Sequence, residues 1–422
     1  MKYQAIRGMS DIIPEEISLW QKLEAVTRLF LNKRSYQEVR TPLVEYTELF
    51  TRSIGEETDI VFKEMYTFED RKGRSLTLRP EMTASVVRAV VENNLLSQEE
   101  TARFYYMGPM FRAERPQAGR RRQFHQIGVE LFGKADFFQD TEVILLLCDL
   151  LEEVGVSRDS FTVKLNSIGC KKCREPFNQK LEEYLRSKEK ELCGDCTRRM
   201  KTNLLRVFDC KVEKCNSVCK DSPKITDHLC AECNHYFSGL KRQLDSRAIL
   251  YEVVPSMVRG LDYYCGPVFE VTSTKLGAQD AIAAGGRYDG LVKAFGGPNV
   301  GGIGFAIGIE RLLQLLDTDK KKSDNESVPV IYLAHSNTED SKAFCLDMYT
   351  KLLAEGKAVF IDMTKESLKS QFRQANKIDA QIVLIGGEDE LAKGNVSIKD
   401  MKTGEQQEIK LDDVINVVKK LL

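Results

Sequence analysis

The stretch "FRAERPQAGRRRQFHQIGVELFG", from Phe111 to Gly133, places five arginines within eleven residues and then alternates like a strand. The preceding run "RFYYMGPMF" (103–111) is also strand-like, so the sequence predicts two antiparallel strands joined by an arginine-rich loop. Guanidinium groups stay charged and bind phosphate through two parallel hydrogen bonds. The loop is therefore a candidate site for a triphosphate or a nucleic-acid end. The alternative is a solvated basic hairpin tip.

Length and composition limit the class of protein. The chain has 422 residues, of which 42% are hydrophobic and 30% charged, with a net charge of -1. This length predicts two or three domains. We see neither a signal-peptide pattern nor an apolar run of about 18 residues, so we expect no membrane association and a cytoplasmic location. In that compartment the 12 cysteines are expected to be thiols or metal ligands.

The first three quarters of the sequence predict an α+β fold. A helix is expected from Pro14, and a strand, a turn at Arg79–Pro80 and another helix follow. Strands linked directly by turns favour an antiparallel sheet flanked by helices. Within it, "AIAAGGRYDGLVKAF" (281–295) is expected to be a glycine-rich turn, and "GGIGFAIGIERLLQLL" (301–316) a strand that continues into a helix.

The last quarter predicts a separate domain. The charged stretch 317–329 is typical of a linker, and a β-α-β-α-β order follows it. We therefore expect domains at 1–325 and 326–422, the second a small α/β domain with a mostly parallel sheet. Its 13 basic and 16 acidic residues do not indicate RNA binding by charge.

A cysteine-rich segment at about 170–243 is expected to be a helical insertion. Between Cys170 and Arg242 it carries 17 Lys and Arg against 11 Asp and Glu, which indicates a nucleic-acid partner or a solvated face. Its C-x2-C pairs have the spacing of structural zinc sites. The preferred ligand set is Cys170, Cys173, Cys193 and Cys196, with Cys230 and Cys233 as rivals and free thiols as the alternative.

Several motifs together resemble a known family. The arginine loop and "GIGFAIGIERLL" (302–313) resemble motifs 2 and 3 of class II aminoacyl-tRNA synthetases, and "YQEVRTPLVE" (36–45) resembles motif 1. The stretches "RPEMT" (79–83), "VRGLDYY" (258–264) and "GGRYDGL" (285–291) are similar to those of bacterial histidyl-tRNA synthetases. The resemblance covers nearly the whole chain. It implies ATP-dependent activation of L-histidine, transfer to tRNA(His), a homodimer and a C-terminal anticodon-binding domain.

The resemblance also implies a histidine site. Glu130 and Tyr264 would bind the two imidazole nitrogens, and Glu81 would hold the α-ammonium group. Buried polar partners of this kind strongly reject substrates that leave them unpaired. The full set that the resemblance places around histidine is Glu81, Thr83, Arg112, Gln126, Glu130, Arg259, Tyr263, Tyr264 and Tyr288.

An ATP site is implied in the same way. Catalysis is expected from Arg112, Arg259 and Arg311, with Arg259 between the histidine carboxylate and the α-phosphate. Mg²⁺ is expected on the phosphates. Small residues at 302, 304, 306 and 308 would let a ligand lie close to the backbone. The ATP-binding set is Arg112, Glu114, Arg121, Phe124 and Arg311.

Two other classes of protein compete with this enzyme. One is a catalytically inert, histidine-binding regulatory paralogue of histidine biosynthesis, and such paralogues usually lack the C-terminal domain and lose catalytic arginines. The other is a zinc-dependent RNA-binding protein without catalysis. The sequence retains Arg112, Arg259, Arg311 and the C-terminal domain, and its ATP motifs argue against both alternatives.

Overall fold

The computed structural model describes residues 3–55, 58–96, 101–117, 119–277, 280–318 and 330–421. The chain divides into two compact units, Met1–Lys321 and Lys322–Leu422. The boundary expected between residues 325 and 326 lies outside the described residues. Within the described ranges, no helix has both the length and the apolar character that crossing a membrane requires.

The first unit begins with the helix expected at Pro14, a residue that suits the first turn because its missing N–H would be unpaired there anyway. The motif 1 stretch forms two short strands separated by Pro42. The elements of this part are α1 (Pro14–Asn32), β1 (Gln37–Glu38), β2 (Val44–Tyr46), α2 (Thr47–Ile54), a π turn (Ile60–Glu64), β3 (Tyr66–Glu69), β4 (Ser75–Leu78), α3 (Thr83–Glu92), β5 (Ala102–Phe111), β6 (Gln123–Gly133) and α4 (Phe137–Glu153).

The second half of this unit corrects one expectation. The segment 281–295 is not a glycine-rich turn but a strand and a short helix. Gly285 pairs within this strand, and the position requires glycine because a Cβ there would lie 2.2 Å from the Gly304 carbonyl oxygen of the neighbouring strand. The elements are β7 (Thr162–Ser167), α5 (Lys171–Ser187), α6 (Gly194–Thr202), α7 (Glu213–Lys220), α8 (Ala231–Asp245), β8 (Tyr251–Val253), β9 (Cys265–Thr272), β10 (Ala281–Arg287), α9 (Leu291–Ala294), β11 (Gly301–Gly308) and α10 (Ile309–Thr318).

One eight-stranded sheet organises the first unit, in the order β1-β5-β6-β11-β10-β9-β7-β8. Every pair from β5 to β7 is antiparallel, and only the edge strands β1 and β8 run parallel to their neighbours. The expected antiparallel sheet flanked by helices is confirmed. Helices α1, α4, α8 and α10 pack apolar residues on one core, and α3 packs on a second core that includes Tyr264 and Tyr288.

The cysteine-rich insertion is helical, as expected, and it connects β7 to β8. Helices α5, α6 and α7 contribute to a small core of their own. Helix α8 differs, because Phe237, Leu240 and Leu244 are buried in the main core. The last helix of the expected insertion therefore belongs to the body of the first unit.

The second unit is the expected α/β domain, but its sheet is mixed. In the order β13-β12-β14-β15-β16, the first two pairs are parallel and the last two antiparallel. A tight turn at Gly404 (φ 79°) connects the last two strands, and it is too short for a parallel crossover. The elements are β12 (Val330–His335), α11 (Glu339–Ala354), β13 (Ala358–Ile361), α12 (Leu368–Lys377), β14 (Ile382–Gly386), α13 (Glu388–Ala392), β15 (Asn395–Asp400), β16 (Gln406–Lys410) and α14 (Val414–Leu421).

Candidate active site

A cavity of about 560 Å³ is lined by residues of the central strands of the large sheet and by the loops that follow them. Arg112 follows β5, Arg259 precedes β9 and Arg311 lies in the first turn of α10. All three arginines line this one cavity, although up to 199 positions separate them in the sequence. The other residues expected around ATP also line it, namely Glu114, Arg121 and Phe124.

The arginines of this loop have two roles, because some line the cavity and one stabilises the loop itself. Arg112, Arg120 and Arg121 line the cavity. Arg122 instead holds the loop together, because its Nε donates to the Glu114 carbonyl at 3.2 Å. The loop therefore directs three of its five arginines toward a common space, which favours a polyanionic ligand.

Arg112 is oriented by two contacts. Its Nε donates to the Pro80 carbonyl at 2.9 Å, at the start of the segment that leads into α3. Its guanidinium carbon lies 5.2 Å from the centroid of the Phe124 ring. One edge of the guanidinium group is thus fixed, and the Phe124 ring forms the adjacent wall of the cavity.

Arg311 is held by backbone carbonyls. Its Nε donates to Gly119 at 3.0 Å and its Nη1 to Ala281 at 2.8 Å. Burial, together with the neighbouring Arg120 charge, lowers the pKa of Arg311 from its ordinary value. Two cations brought together in this way would be stabilised by an anion such as a phosphate group.

Two nitrogens of the Arg259 guanidinium group differ in their hydrogen bonding. Its Nη1 donates to the Glu270 carboxylate at 2.7 Å. Its Nε is buried and has no hydrogen-bond partner among the described residues. Buried donors are rarely left unpaired in folded proteins. Arg259 thus lines the cavity with one hydrogen-bond donor unsatisfied among the described residues.

Glu81 forms an anionic corner at the start of α3. Its carboxylate accepts hydrogen bonds from the amides of Thr83 at 2.7 Å and Ala84 at 3.0 Å, and the Tyr263 hydroxyl lies 3.4 Å away. Burial nevertheless raises the pKa of Glu81 above its ordinary value. A cationic ligand group beside it would favour the ionised carboxylate.

Glu130 lies behind the cavity wall. Its carboxylate accepts from the Thr83 hydroxyl at 2.7 Å and from the Tyr288 hydroxyl, and burial raises the pKa of Glu130 to about 8. The other eight residues expected around histidine do line the cavity, and they are Glu81, Thr83, Arg112, Gln126, Arg259, Tyr263, Tyr264 and Tyr288.

Three tyrosines form the aromatic side of the cavity. The rings of Tyr263 and Tyr264 lie 4.8 Å apart, and those of Tyr263 and Tyr288 lie 5.7 Å apart. Burial raises the pKa of Tyr264 to about 12. Its hydroxyl therefore stays protonated at neutral pH, so it can donate to or accept from an imidazole nitrogen.

Glycines on β11 make room for these side chains. Gly304 pairs with Glu130 across the sheet, and a Cβ at Gly304 would lie 2.0 Å from Glu130 Oε2. A Cβ at Gly302 would lie 2.3 Å from the Tyr288 ring. Gly304, Ala306 and Gly308 line the cavity as expected, whereas Gly302 does not, because the Tyr288 ring covers it.

Comparison with known proteins shows which family the chain belongs to. The family model for histidyl-tRNA synthetase matches residues 8–312, and the model for an anticodon binding domain matches residues 327–421. This chain belongs to the histidyl-tRNA synthetase family.

Relatives of this family match over their full length. The "Histidine--tRNA ligase" of Thermodesulfovibrio yellowstonii is 47% identical, covering 100% of this chain and 99% of the relative. That of Halothermothrix orenii is 47% identical over 100% of both chains. The apo histidyl-tRNA synthetase of S. aureus superposes with a TM-score of 0.81 at 31% identity, covering 98% of this chain and 99% of that one.

The cavity includes residues that sequence reasoning missed. Tyr106 and Glu270 line the cavity from strands β5 and β9, and Glu310 lines it from the first turn of α10. Side chains alternate between the two faces of the sheet along β5 and β9. This alternation could have indicated Tyr106 and Glu270, once the face of the sheet that meets the ligand was known. Lys211 also lines the cavity, but it comes from the insertion, and no local pattern places it there.

The cysteines of the insertion are grouped differently from the expected set. Cys170 and Cys173 lie with Cys230 and Cys233, and Cys193 and Cys196 lie with Cys210 and Cys215. The structure therefore separates the preferred four into two pairs. The reason is that α5 and α8 begin side by side, which brings together C-x2-C pairs that are sixty residues apart in the sequence.

Proposed function

We propose that this chain activates L-histidine with ATP and transfers the histidyl group to the 3′ end of tRNA(His). The observation that carries the proposal is the convergence of Arg112, Arg259 and Arg311 on one cavity, which is lined by eight of the nine residues expected around histidine. Membership of the histidyl-tRNA synthetase family supports the same reaction.

Histidine would be recognised by charge at one end and by hydrogen bonds at the other. The Glu81 carboxylate would hold the α-ammonium group. Glu130 and Tyr264 would pair with the two imidazole nitrogens, one of which donates while the other accepts. An amino acid that left these buried groups unpaired would bind much more weakly.

The first step forms histidyl-adenylate. A carboxylate oxygen of histidine attacks the α-phosphorus of ATP, and the bond to the bridging oxygen breaks as pyrophosphate leaves. Arg259 would contact both reacting anions and offset their repulsion. Arg112, Arg121 and Arg311 would bind the phosphates, and the Phe124 ring would stack on the adenine. Because the groups are held in place beforehand, positioning supplies much of the rate enhancement.

Mg²⁺ would assist pyrophosphate departure when bound to the phosphates. Glu114 and Glu270 line the cavity and offer the carboxylate oxygens that this ion prefers. In the free protein each carboxylate is paired with an arginine, Glu114 with Arg120 at 3.1 Å and Glu270 with Arg259 at 2.7 Å. We propose these two residues as candidate ligands for the ion.

The second step transfers the histidyl group. A terminal ribose hydroxyl of tRNA attacks the adenylate carbonyl, AMP leaves, and a phosphate oxygen of the departing AMP takes the hydroxyl proton. No protein nucleophile is needed. Among the described residues no cysteine lines the cavity, so the cysteines of the insertion take no part in either step.

The tRNA contacts, the oligomeric state and the cellular location of the protein are part of the same proposal. We propose that residues 326–422 bind the anticodon and that the basic insertion contacts the tRNA acceptor arm. A homodimer through the motif 1 segment is supported by Leu43, Val44 and Tyr46, apolar side chains that are 42%, 36% and 55% exposed. We propose a cytoplasmic location, where tRNA is charged.

The inert regulatory paralogue is not favoured. Arg112, Arg259 and Arg311 are all present in the cavity, and residues 327–421 match an anticodon binding domain. A protein that only senses histidine needs neither the phosphate-binding arginines nor that domain.

Aminoacylation of purified tRNA(His) with radiolabelled histidine tests the proposal. We expect acid-precipitable histidine to accumulate only when ATP is present, and we expect no accumulation with tRNA that carries another anticodon and acceptor end. Failure to charge tRNA(His) from several bacterial sources, by protein that binds ATP and histidine, would contradict the proposed function.

A further inference from the structure

The insertion contains two groups of four cysteines outside the catalytic cavity. The Cys170 cluster consists of Cys170, Cys173, Cys230 and Cys233, and the Cys193 cluster consists of Cys193, Cys196, Cys210 and Cys215. Within each cluster every sulfur lies within 4.8 Å of the others. No histidine or carboxylate of the described residues belongs to either group.

We propose that each cluster binds one zinc ion through four thiolates, so that the chain carries two structural zinc sites, one enclosed within the sequence span of the other. The spacing of the sulfurs supports a shared ion. A tetrahedral ion with bonds of about 2.3 Å to sulfur separates the sulfurs by about 3.8 Å. The observed separations are 3.6 Å for Cys170–Cys173, 3.9 Å for Cys170–Cys230 and 3.8 Å for Cys193–Cys210.

Disulfides do not account for these groups. A disulfide holds two sulfurs about 2.0 Å apart, and it joins cysteines in pairs rather than fours. All twelve cysteines of the structure are unbridged. Eight of them converge in two sets of four, which is the number of ligands that a structural zinc site takes.

The backbone around both clusters favours the negatively charged thiolate form of the cysteines. Each C-x2-C pair begins a helix, with Cys170, Cys193 and Cys230 at the N-cap positions of α5, α6 and α8. A helix N-terminus favours thiolates. Backbone amides also donate to sulfur, from Cys230 to Cys173 at 3.1 Å and from Cys193 to Cys215 at 3.2 Å.

The apolar core of the insertion is small, so cross-links between its helices are expected to contribute to its stability. Only eleven buried residues form this core, and five of them are cysteines. Domains of this size are often stabilised by metal ions or disulfides. Each cluster links two helices. The Cys170 cluster connects α5 with α8, and the Cys193 cluster connects α6 with α7.

Metal analysis of the full-length, tag-free protein tests the proposal. Purified without chelators and freed of loosely bound metal, the wild type is expected to contain two zinc ions per chain by mass spectrometry. Cys196→Ser and Cys233→Ser should each retain one zinc, and the double variant none. Cys219→Ser is the matched control, because Cys219 is buried in the same insertion but belongs to neither cluster, and it should retain two.

A second measurement avoids variants that fail to fold. Wild-type protein reconstituted with cobalt(II) should show the intense visible bands of tetrahedral, all-sulfur coordination at two equivalents per chain. Wild-type protein that binds no zinc or cobalt under reducing conditions would overturn the proposal. Equimolar iron in place of zinc, or loss of zinc in Cys219→Ser as large as in Cys196→Ser, would overturn it as well.

Discussion

Two buried carboxylates, Glu81 and Glu130, contribute differently to the proposed histidine site. Glu81 lies at a helix start, where two amides donate to it, and it faces the cavity. Glu130 lies deeper, and among the described residues its carboxylate accepts from the hydroxyls of Thr83 and Tyr288; burial raises its pKa to about 8. In the free protein Glu130 is therefore largely protonated at neutral pH, and an imidazole N–H would favour its ionised form.

Glu130→Gln is predicted to change how stability depends on pH. The raised pKa means that the folded state holds this proton up to about pH 8, whereas the unfolded state releases it near pH 4.5. The bound proton contributes in full to the free energy of unfolding below pH 4.5. This contribution decreases as the pH rises to about 8, by up to about 1.4 kcal/mol per pH unit. Thermal unfolding midpoints measured from pH 5 to 8.5 without histidine should therefore fall more steeply for wild type than for the variant.

The matched control for this experiment is Glu142→Gln, because Glu142 is a partly exposed carboxylate that does not line the cavity. Its unfolding midpoints should parallel those of wild type. Wild-type and Glu130→Gln midpoints that stay parallel across the pH range would contradict the assignment of a bound proton to Glu130.

Arg259→Ala is predicted to slow adenylate formation by roughly 10²-fold or more, while histidine binding weakens much less. The reason is that the proposed contact with both reacting anions matters most as they approach. Rapid-quench measurement of single-turnover adenylate formation, with histidine affinity from equilibrium dialysis, separates the two effects. Arg247→Ala, an exposed arginine at the end of α8, should behave like wild type. Equal losses in rate and affinity would argue against the role.

At the scale of elements, β11 shows what sequence could and could not predict. Its small residues and the helix after it were evident from the sequence, as was the arginine in the first turn of that helix. The sequence did not show that Gly302 and Gly304 leave space for Tyr288 and Glu130. Those contacts depend on the register between β6 and β11, which joins positions about 170 residues apart.

The cysteines illustrate the same limit. Local spacing identified the C-x2-C pairs, because both members of a pair lie in one helical turn. Which pairs meet depends on how α5 lies against the start of α8, and no local pattern decided between the preferred set and the rivals Cys230 and Cys233. The nearest pairs in sequence were the natural choice, and they were wrong because α6 begins in a different part of the insertion.

Gly304→Ala is predicted to impair histidine use more than ATP binding. The added Cβ would lie 2.0 Å from Glu130 Oε2 and 2.4 Å from the Val129 carbonyl, so Glu130 must move. We expect the KM for histidine to rise tenfold or more, with a lower unfolding midpoint. Gly290→Ala is the control, because a Cβ there meets no atom within 4 Å and the backbone is already helical. An unchanged KM in a folded Gly304→Ala protein would contradict the proposed place of Glu130.

At the scale of the whole molecule, the two units have separate cores. The buried apolar clusters of the first unit draw their described residues from positions 20–316, and those of the second from 331–418. The family resemblance predicted both units from sequence, because the motifs of the first and the β-α alternation of the second are local. Each core is expected to fold without the other.

Deletion of residues 326–422 is predicted to spare adenylate formation and to reduce charging of tRNA(His) at least tenfold. All residues of the proposed chemistry lie in the first unit, whereas anticodon contacts are proposed for the second. Pyrophosphate exchange and aminoacylation should be measured on the same preparation, after circular dichroism has shown it to be folded. Unimpaired charging would remove the second unit from the proposed tRNA contacts.

We propose that guanidinium groups from distant segments meet around one ATP beside a pocket that binds imidazole. Exchange of labelled pyrophosphate into ATP, measured with each of the twenty amino acids in turn, tests it most directly because the assay needs no tRNA. We expect rapid exchange with L-histidine and exchange at background level with the other nineteen amino acids. Exchange that does not depend on histidine, or that another amino acid supports equally well, would contradict it.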